Sequence, residues 1–134
     1  MMDGVATRGH AVVRLEGDRV LLIREVRSGR VNYLAPGVAL RAGETPGRAA
    51  IRAAREQLGV SAGVTELLFA DTEMGAEHFF FLADLESEYD PSWDLAPPHQ
   101  DGTTAIAVRR SAIRAYPVRP VELARRLSAY DSAR

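Results

Sequence analysis

Apolar residues along this chain follow two periods. From Arg8 to Leu15 and from Arg19 to Val26 they form short runs bounded by turn residues, the signature of strands. His10, Ala11, Val12 and Val13 belong to the first run, with His10 read as a polar residue at the strand's edge or end. Val20, Leu21, Leu22 and Ile23 are continuous enough for a second strand buried on both faces. Glu16-Gly17-Asp18 joins the two as a hairpin. Ser28-Gly29 turns the chain again, and Val31 to Leu34 is a short strand that stops at Pro36-Gly37.

The period then changes to that of a helix. Thr45 is a good N-cap, Pro46 suits the first helical position, and Gly59 is placed to end the helix after Leu58. Ala50, Ile51, Ala54 and Leu58 form one apolar stripe. Arg52 and Glu56 form an i, i+4 pair on the other side, with Ala49, Ala53 and Gln57 beside them.

Strands return at Val64 to Phe69 and at Glu77 to Asp84, with a turn marked by Asp71, Glu73 and Gly75. In the second of these strands Phe79, Phe81 and Ala83 face one side and His78, Phe80 and Leu82 the other, which predicts a central strand covered on both faces. Leu85 to Thr103 is a long acidic, Pro-rich connection that includes Pro98 and His99. Ala105 to Val108 is a last short strand, Ser111 is placed to cap a short helical turn to Tyr116, and Pro120 starts a helix that packs Val121, Leu123, Ala124 and Leu127 inward.

Composition narrows the function classes. A chain of 134 residues that is 46% hydrophobic can bury a core. Its formal net charge of −1 provides no field for non-specific nucleic-acid or membrane binding. The absence of cysteine excludes disulfides and thiolate chemistry. All 17 basic residues are Arg, whose planar fork suits phosphate. Met1-Met2-Asp3-Gly4 does not begin a signal peptide, and a cytoplasmic protein is expected.

The stretch from Pro36 to Val60 carries the most specific signal. Pro36-Gly37, Glu44, the Ala49-Ala50-Ile51 run, Arg52, Glu56, Gly59 and Val60 keep a long gapless spacing that resembles the signature of the Nudix hydrolase superfamily. The resemblance implies an α/β Nudix fold over 1–134, a mixed β-sheet sandwiched between α-helices, with the box at 37–60; the terminal residues are expected to be disordered. It implies cleavage of the diphosphate linkage of a nucleoside diphosphate joined to another group, with Mg²⁺ or Mn²⁺ as cofactor. By position, Glu56 is the surviving metal carboxylate, while Arg52 and Glu44 brace the loop against the helix. Gln57, the carbonyl of Gly37 and two loop acids, Asp94 and Asp101, are the other candidate metal ligands, with Glu88 behind them. Arg24, Arg27, His78 and Trp93 are the candidate substrate contacts.

The box is also degenerate. Val38 stands where the signature opens with Gly, Ala53 and Gln57 stand where it has Glu, and Arg41 replaces a looser acidic position. Two carboxylates missing near a dication forfeit gross attraction on the order of several kcal/mol at an effective dielectric of about 20. Three readings follow: an attenuated hydrolase, a pseudoenzyme that binds a nucleotide or phosphometabolite without cleaving it, and a protein-interaction module on the same scaffold; Mg²⁺ or Mn²⁺ is expected if the chain is active, and no cofactor is the alternative. The expected partner is a small nucleoside diphosphate derivative, with no nucleic acid and no membrane. A homodimer is left open.

Overall fold

The structure, a computed structural model, describes residues 6–73, 75–97 and 100–130. The terminal residues expected to be disordered, together with Pro98 and His99, lie outside the described residues. The chain divides into two compact units, Met1–Val13 with Pro36–Glu88, and Arg14–Ala35 with Tyr89–Arg134.

The first unit holds the box. Its strands are β1 (Ala6–Leu15, to Val13 in this unit), β4 (Gly37–Ala39), β5 (Ala62–Glu73) and β6 (Ala76–Leu85). They lie in the order β5-β6-β1-β4. β4 runs antiparallel to β1, with Arg8 opposite Ala39 and His10 opposite Gly37. β5 and β6 form a long antiparallel pair with register shifts at Val64/Glu66 and Leu67/Phe69. β5 therefore extends past the expected strand end, taking in Asp71 and Glu73. Gly75, with a φ of 76°, lies in the turn before β6. In β6, Phe80, Leu82 and Ala83 are buried while His78, Phe79 and Phe81 are half-buried.

Helix α1 (Pro46–Ala53) begins as expected. Thr45 is extended and its hydroxyl accepts from the Arg48 N–H at 3.2 Å. The expected single helix to Leu58 is corrected, because Ala54–Leu58 is a π-helical turn ended by left-handed Gly59 at φ 69°. Such widened turns occur often at functional sites, and here the turn carries Glu56 and Gln57. The buried face is also corrected. Ala49, Ala50, Ala53 and Ala54 are fully buried, whereas Ile51 and Leu58 are half-exposed. Gly9 of β1 supplies the reason. A Cβ there would lie 2.3 Å from the Pro46 carbonyl oxygen and 2.9 Å from the Ala49 Cβ. The helix rests so close to the strand that only small side chains fit between them.

The second unit has the strand order β7-β2-β3-β8 from β2 (Arg19–Arg27), β3 (Arg30–Leu34), β7 (Gly102–Arg109) and β8 (Val118–Arg119). β3 and β8 run parallel while the other pairs are antiparallel, so the sheet is mixed. β7 begins three residues earlier than expected, and the long connection before it contains a 3-10 turn at Pro91–Asp94. A second 3-10 turn spans Arg110–Ala115. Ser111 lies inside that turn, with no side-chain cap, which corrects its expected role. Helix α2 (Val121–Ala129) buries Leu123, Ala124 and Leu127. Val121 is 73% exposed, against expectation, because it stands in the first turn with its side chain in solvent. Strands and helices together give the α/β architecture with a mixed sheet.

Candidate functional site

The box loop is closed by its own backbone before any side chain reaches the helix. The Glu44 N–H donates to the Arg41 carbonyl at 3.0 Å, and the Arg41 N–H donates to Glu44 Oε1 at 2.9 Å. This turn aims the Glu44 carboxylate at the helix. Arg52 meets it with a fork, Nε to Oε2 at 2.9 Å and Nη2 to Oε1 at 2.8 Å. Arg52 Nη2 also donates to the Ala39 carbonyl at 2.9 Å, so one side chain ties β4, the loop and the helix together. The Arg52 hydrogen bonds, helped by the Arg41 N–H, lower the Glu44 pKa from 4.5 to about 2. Arg52 is raised above its ordinary value in return.

Glu56 is spent on arginines as well. Both its oxygens lie 3.4 Å from Arg52 Nη1, and Oε2 lies 3.5 Å from Arg41 Nη2. Gln57 grips Gly37 from two sides. Its Nε2 donates to the Gly37 carbonyl at 2.8 Å, and its Oε1 accepts from the Gly37 N–H at 3.0 Å. The same carbonyl accepts from Arg8 Nη2 at 3.0 Å. Both lone pairs of that oxygen are thereby occupied. Gly37 cannot carry a side chain here, since a Cβ would meet His10 Nδ1 at 2.0 Å.

His10 corrects the edge or strand-end expectation. It lies inside β1, stacked on Phe80 at 4.2 Å between centroids, and its Nε2 is 2.8 Å from His78 Nδ1. Phe80 in turn stacks on Phe69 at 4.5 Å. His78 thus joins an aromatic column behind the Gly37 strand.

The other sequence candidates lie in the second unit. Arg24 is 9% exposed in the interior of β2, opposite Tyr33 and Thr104. Arg27 is exposed and pairs with Glu25 at 3.1 Å. Trp93 is 5% exposed, with Tyr89 edge-on to its ring. Asp94 accepts from Arg19 Nη1 at 2.6 Å and from the Tyr89 hydroxyl. Burial, then the hydrogen bond to Asp94, raises the Tyr89 pKa. Asp101 accepts from the Ser28 N–H at 3.1 and 3.2 Å. Both loop acids are therefore held by donors of their own unit. Glu88, in the first unit, is exposed.

Sequence reasoning brought Glu44, Arg52, Glu56, Gln57 and Gly37 together but missed Arg8. No local motif marks it. Its position follows from the β1–β4 register, which sets it across from Ala39.

The Nudix domain family matches residues 6–117, and the chain belongs to that family. Similar folds include the E. coli ORF135 protein, at TM-score 0.68 and 18% identity over 97% of this chain and 93% of that one. A Nudix hydrolase from Nitrosomonas europaea matches at TM-score 0.69 and 22% identity over 92% and 86%. An ADP compounds hydrolase matches at TM-score 0.61 and 17% identity over 81% and 59%. None of the curated proteins matches.

Nudix proteins generally depend on a divalent metal. The donor set of this box does not fit one. Among the described residues no three His, Asp or Glu side chains converge so that they could hold a metal ion. Glu56 faces two guanidinium groups, and the Gly37 carbonyl faces a third. A hard dication needs several oxygen ligands, and here Glu56 is the one carboxylate of the helix, with guanidinium nitrogens 3.4 and 3.5 Å from it, while both lone pairs of the Gly37 carbonyl are taken.

Proposed function

We propose that this chain keeps its family's recognition of a nucleoside diphosphate linked to a second group and has lost metal-dependent hydrolysis of the linkage. One observation carries the reading: at the positions of the family's metal site, Glu56 lies beside Arg41 and Arg52, while Gln57 and Arg8 hold Gly37. The bracing pair Arg52–Glu44 is intact, so the loop and helix keep their mutual position. The similarity to an ADP compounds hydrolase supports the ligand class.

A second reading, attenuated hydrolysis, is favoured by Glu56 itself. Its side chain is 44% exposed and its ion pairs are long, so they cost little to displace. One experiment separates the two. Nucleoside triphosphates, nucleotide sugars, dinucleoside polyphosphates and ADP-ribose are incubated with the protein and Mg²⁺ or Mn²⁺, and both product release and melting temperature are followed. Thermal stabilisation by a nucleotide without turnover is the expected result. Turnover that needs metal and disappears in Glu56→Gln would establish the attenuated enzyme. Neither effect would leave the scaffold as an interaction module.

A further inference from the structure

We propose that the Gly37 face of the box is a metal-free anion site, in which the guanidinium groups of Arg8 and Arg41 take the oxygens of a diphosphate directly. The inference rests on the nucleoside diphosphate reading for the biological source of that group, and on geometry for the site itself.

In the first unit Arg41 and Arg52 meet two carboxylates, Glu44 and Glu56, and Arg8 brings a third guanidinium group to the Gly37 carbonyl. The surplus charge is positive, the wrong sign for a dication and the right one for a phosphate. The three arginines are not equivalent. Arg52 is 11% exposed and already donates to Glu44, Glu56 and Ala39, so it has no capacity left for a ligand. Arg41 is 69% exposed, and its one side-chain contact is the 3.5 Å pair with Glu56. Arg8 commits a single N–H to the Gly37 carbonyl, which leaves most of its donors for an incoming oxygen.

Both groups border the same few residues. Arg8 lies across from Ala39, two positions before Arg41 on the loop, and Gly37 is fixed by Gln57, the neighbour of Glu56. The Gln57 clamp has a consequence for Arg8. By immobilising Gly37 it also anchors Arg8 Nη2, so less side-chain freedom is lost when a phosphate binds. A diphosphate brings more negative charge than a carboxylate and can displace Glu56 from Arg41. Arg recognises such oxygens in bidentate fashion, without a bridging metal.

The sign of one substitution distinguishes this site from a metal site. Inorganic pyrophosphate and ADP are titrated calorimetrically into the protein in chelator, then in Mg²⁺, with Arg41→Gln, Arg8→Lys, Glu56→Gln and Arg125→Gln compared. Arg125 is the control, an exposed α2 arginine paired with Glu122. Melting curves verify that each variant is folded. Pyrophosphate is expected to bind in chelator, about tenfold more weakly in Arg41→Gln, more weakly in Arg8→Lys, and about threefold more tightly in Glu56→Gln, where the competing carboxylate is gone. Binding that requires Mg²⁺ and is lost in Glu56→Gln overturns the inference while leaving nucleotide recognition standing. Equal weakening in Arg125→Gln also overturns it, since the attraction is then that of any surface arginine. Pyrophosphate binding without ADP binding upholds the anion site and removes the nucleoside from the reading.

Discussion

In the first unit Arg52 reaches Glu44, Glu56 and the Ala39 carbonyl, while Arg8 and Arg41 remain beside them with donors to spare. In the second unit Arg19 reaches Asp94 and Tyr89, and its guanidinium lies 5.1 Å from the Tyr89 ring centroid. The chemistry is the same, guanidinium to carboxylate, but the stoichiometry differs. The second cluster is balanced in charge: one arginine, one half-exposed carboxylate and a phenol that meets both, beside a buried Trp93. It secures the 3-10 turn at Pro91–Asp94. The first cluster has more cations than anions and is open to solvent at Arg41 and Glu56. An acid in a family's variable loop is therefore not a spare metal ligand merely because it is present. Asp94 and Asp101 are engaged in structure within their own unit.

The strongest test of this contrast is Gln57→Glu. A carboxylate at that position loses the donor to the Gly37 carbonyl and sets oxygen against oxygen. Unfolding in urea with chelator is expected to show a loss of about 2 kcal/mol. Mn²⁺ should restore part of it, because a cation can then bridge the two oxygens. A variant as stable as the parent in chelator would show that the Gln57 clamp does not hold the loop.

Acid sensitivity comes next. The Glu44 pKa is lowered from 4.5 in the unfolded chain to about 2 by Arg52. A depressed carboxylate stabilises the fold above its unfolded pKa, and that contribution is lost as pH falls from 4.5 towards about 2. Urea midpoints should drop over that window, and Glu44→Gln should flatten this part of the profile while lowering the neutral-pH plateau. An unchanged profile would place the acid-sensitive group elsewhere.

The smallest expected effect is that of Asp94→Asn. Its ion pair with Arg19 is half-exposed on the acid side, so stability measured in urea should fall by about 1 kcal/mol or less. Pyrophosphate affinity that rose in Asp94→Asn as it is expected to rise in Glu56→Gln would make Asp94 part of the site and erase the contrast between the clusters.

Much of the box was legible in the sequence because its determinants are local. Thr45-Pro46 starts the helix, Gly59 ends it, and Glu44 and Arg52 sit at a spacing that lets them meet across one loop. The strands β4 and β8 were not legible. At three and two residues they carry no period of their own, and they exist through pairing with β1 and β3. The alanine face of α1 was misread because periodicity ranks Ile and Leu above Ala, whereas Gly9 admits only small residues at the contact.

The sequence by itself determined the family and the order of the main strands and helices, and it set Arg52, Glu56 and Gln57 on the box helix. Only the tertiary structure decided which partners the long polar side chains of the box and of the loop meet. Gln57 found Gly37 20 residues away, Arg8 found the same carbonyl across 29, and Asp94 and Asp101 were claimed by Arg19 and Ser28 across 75 and 73. Caps and periods depend on residues within a turn or two of one another, so composition and spacing reveal them. A long charged or amide side chain can reach many partners, and which one it meets is set by strand register and loop closure, which neighbouring residues do not encode.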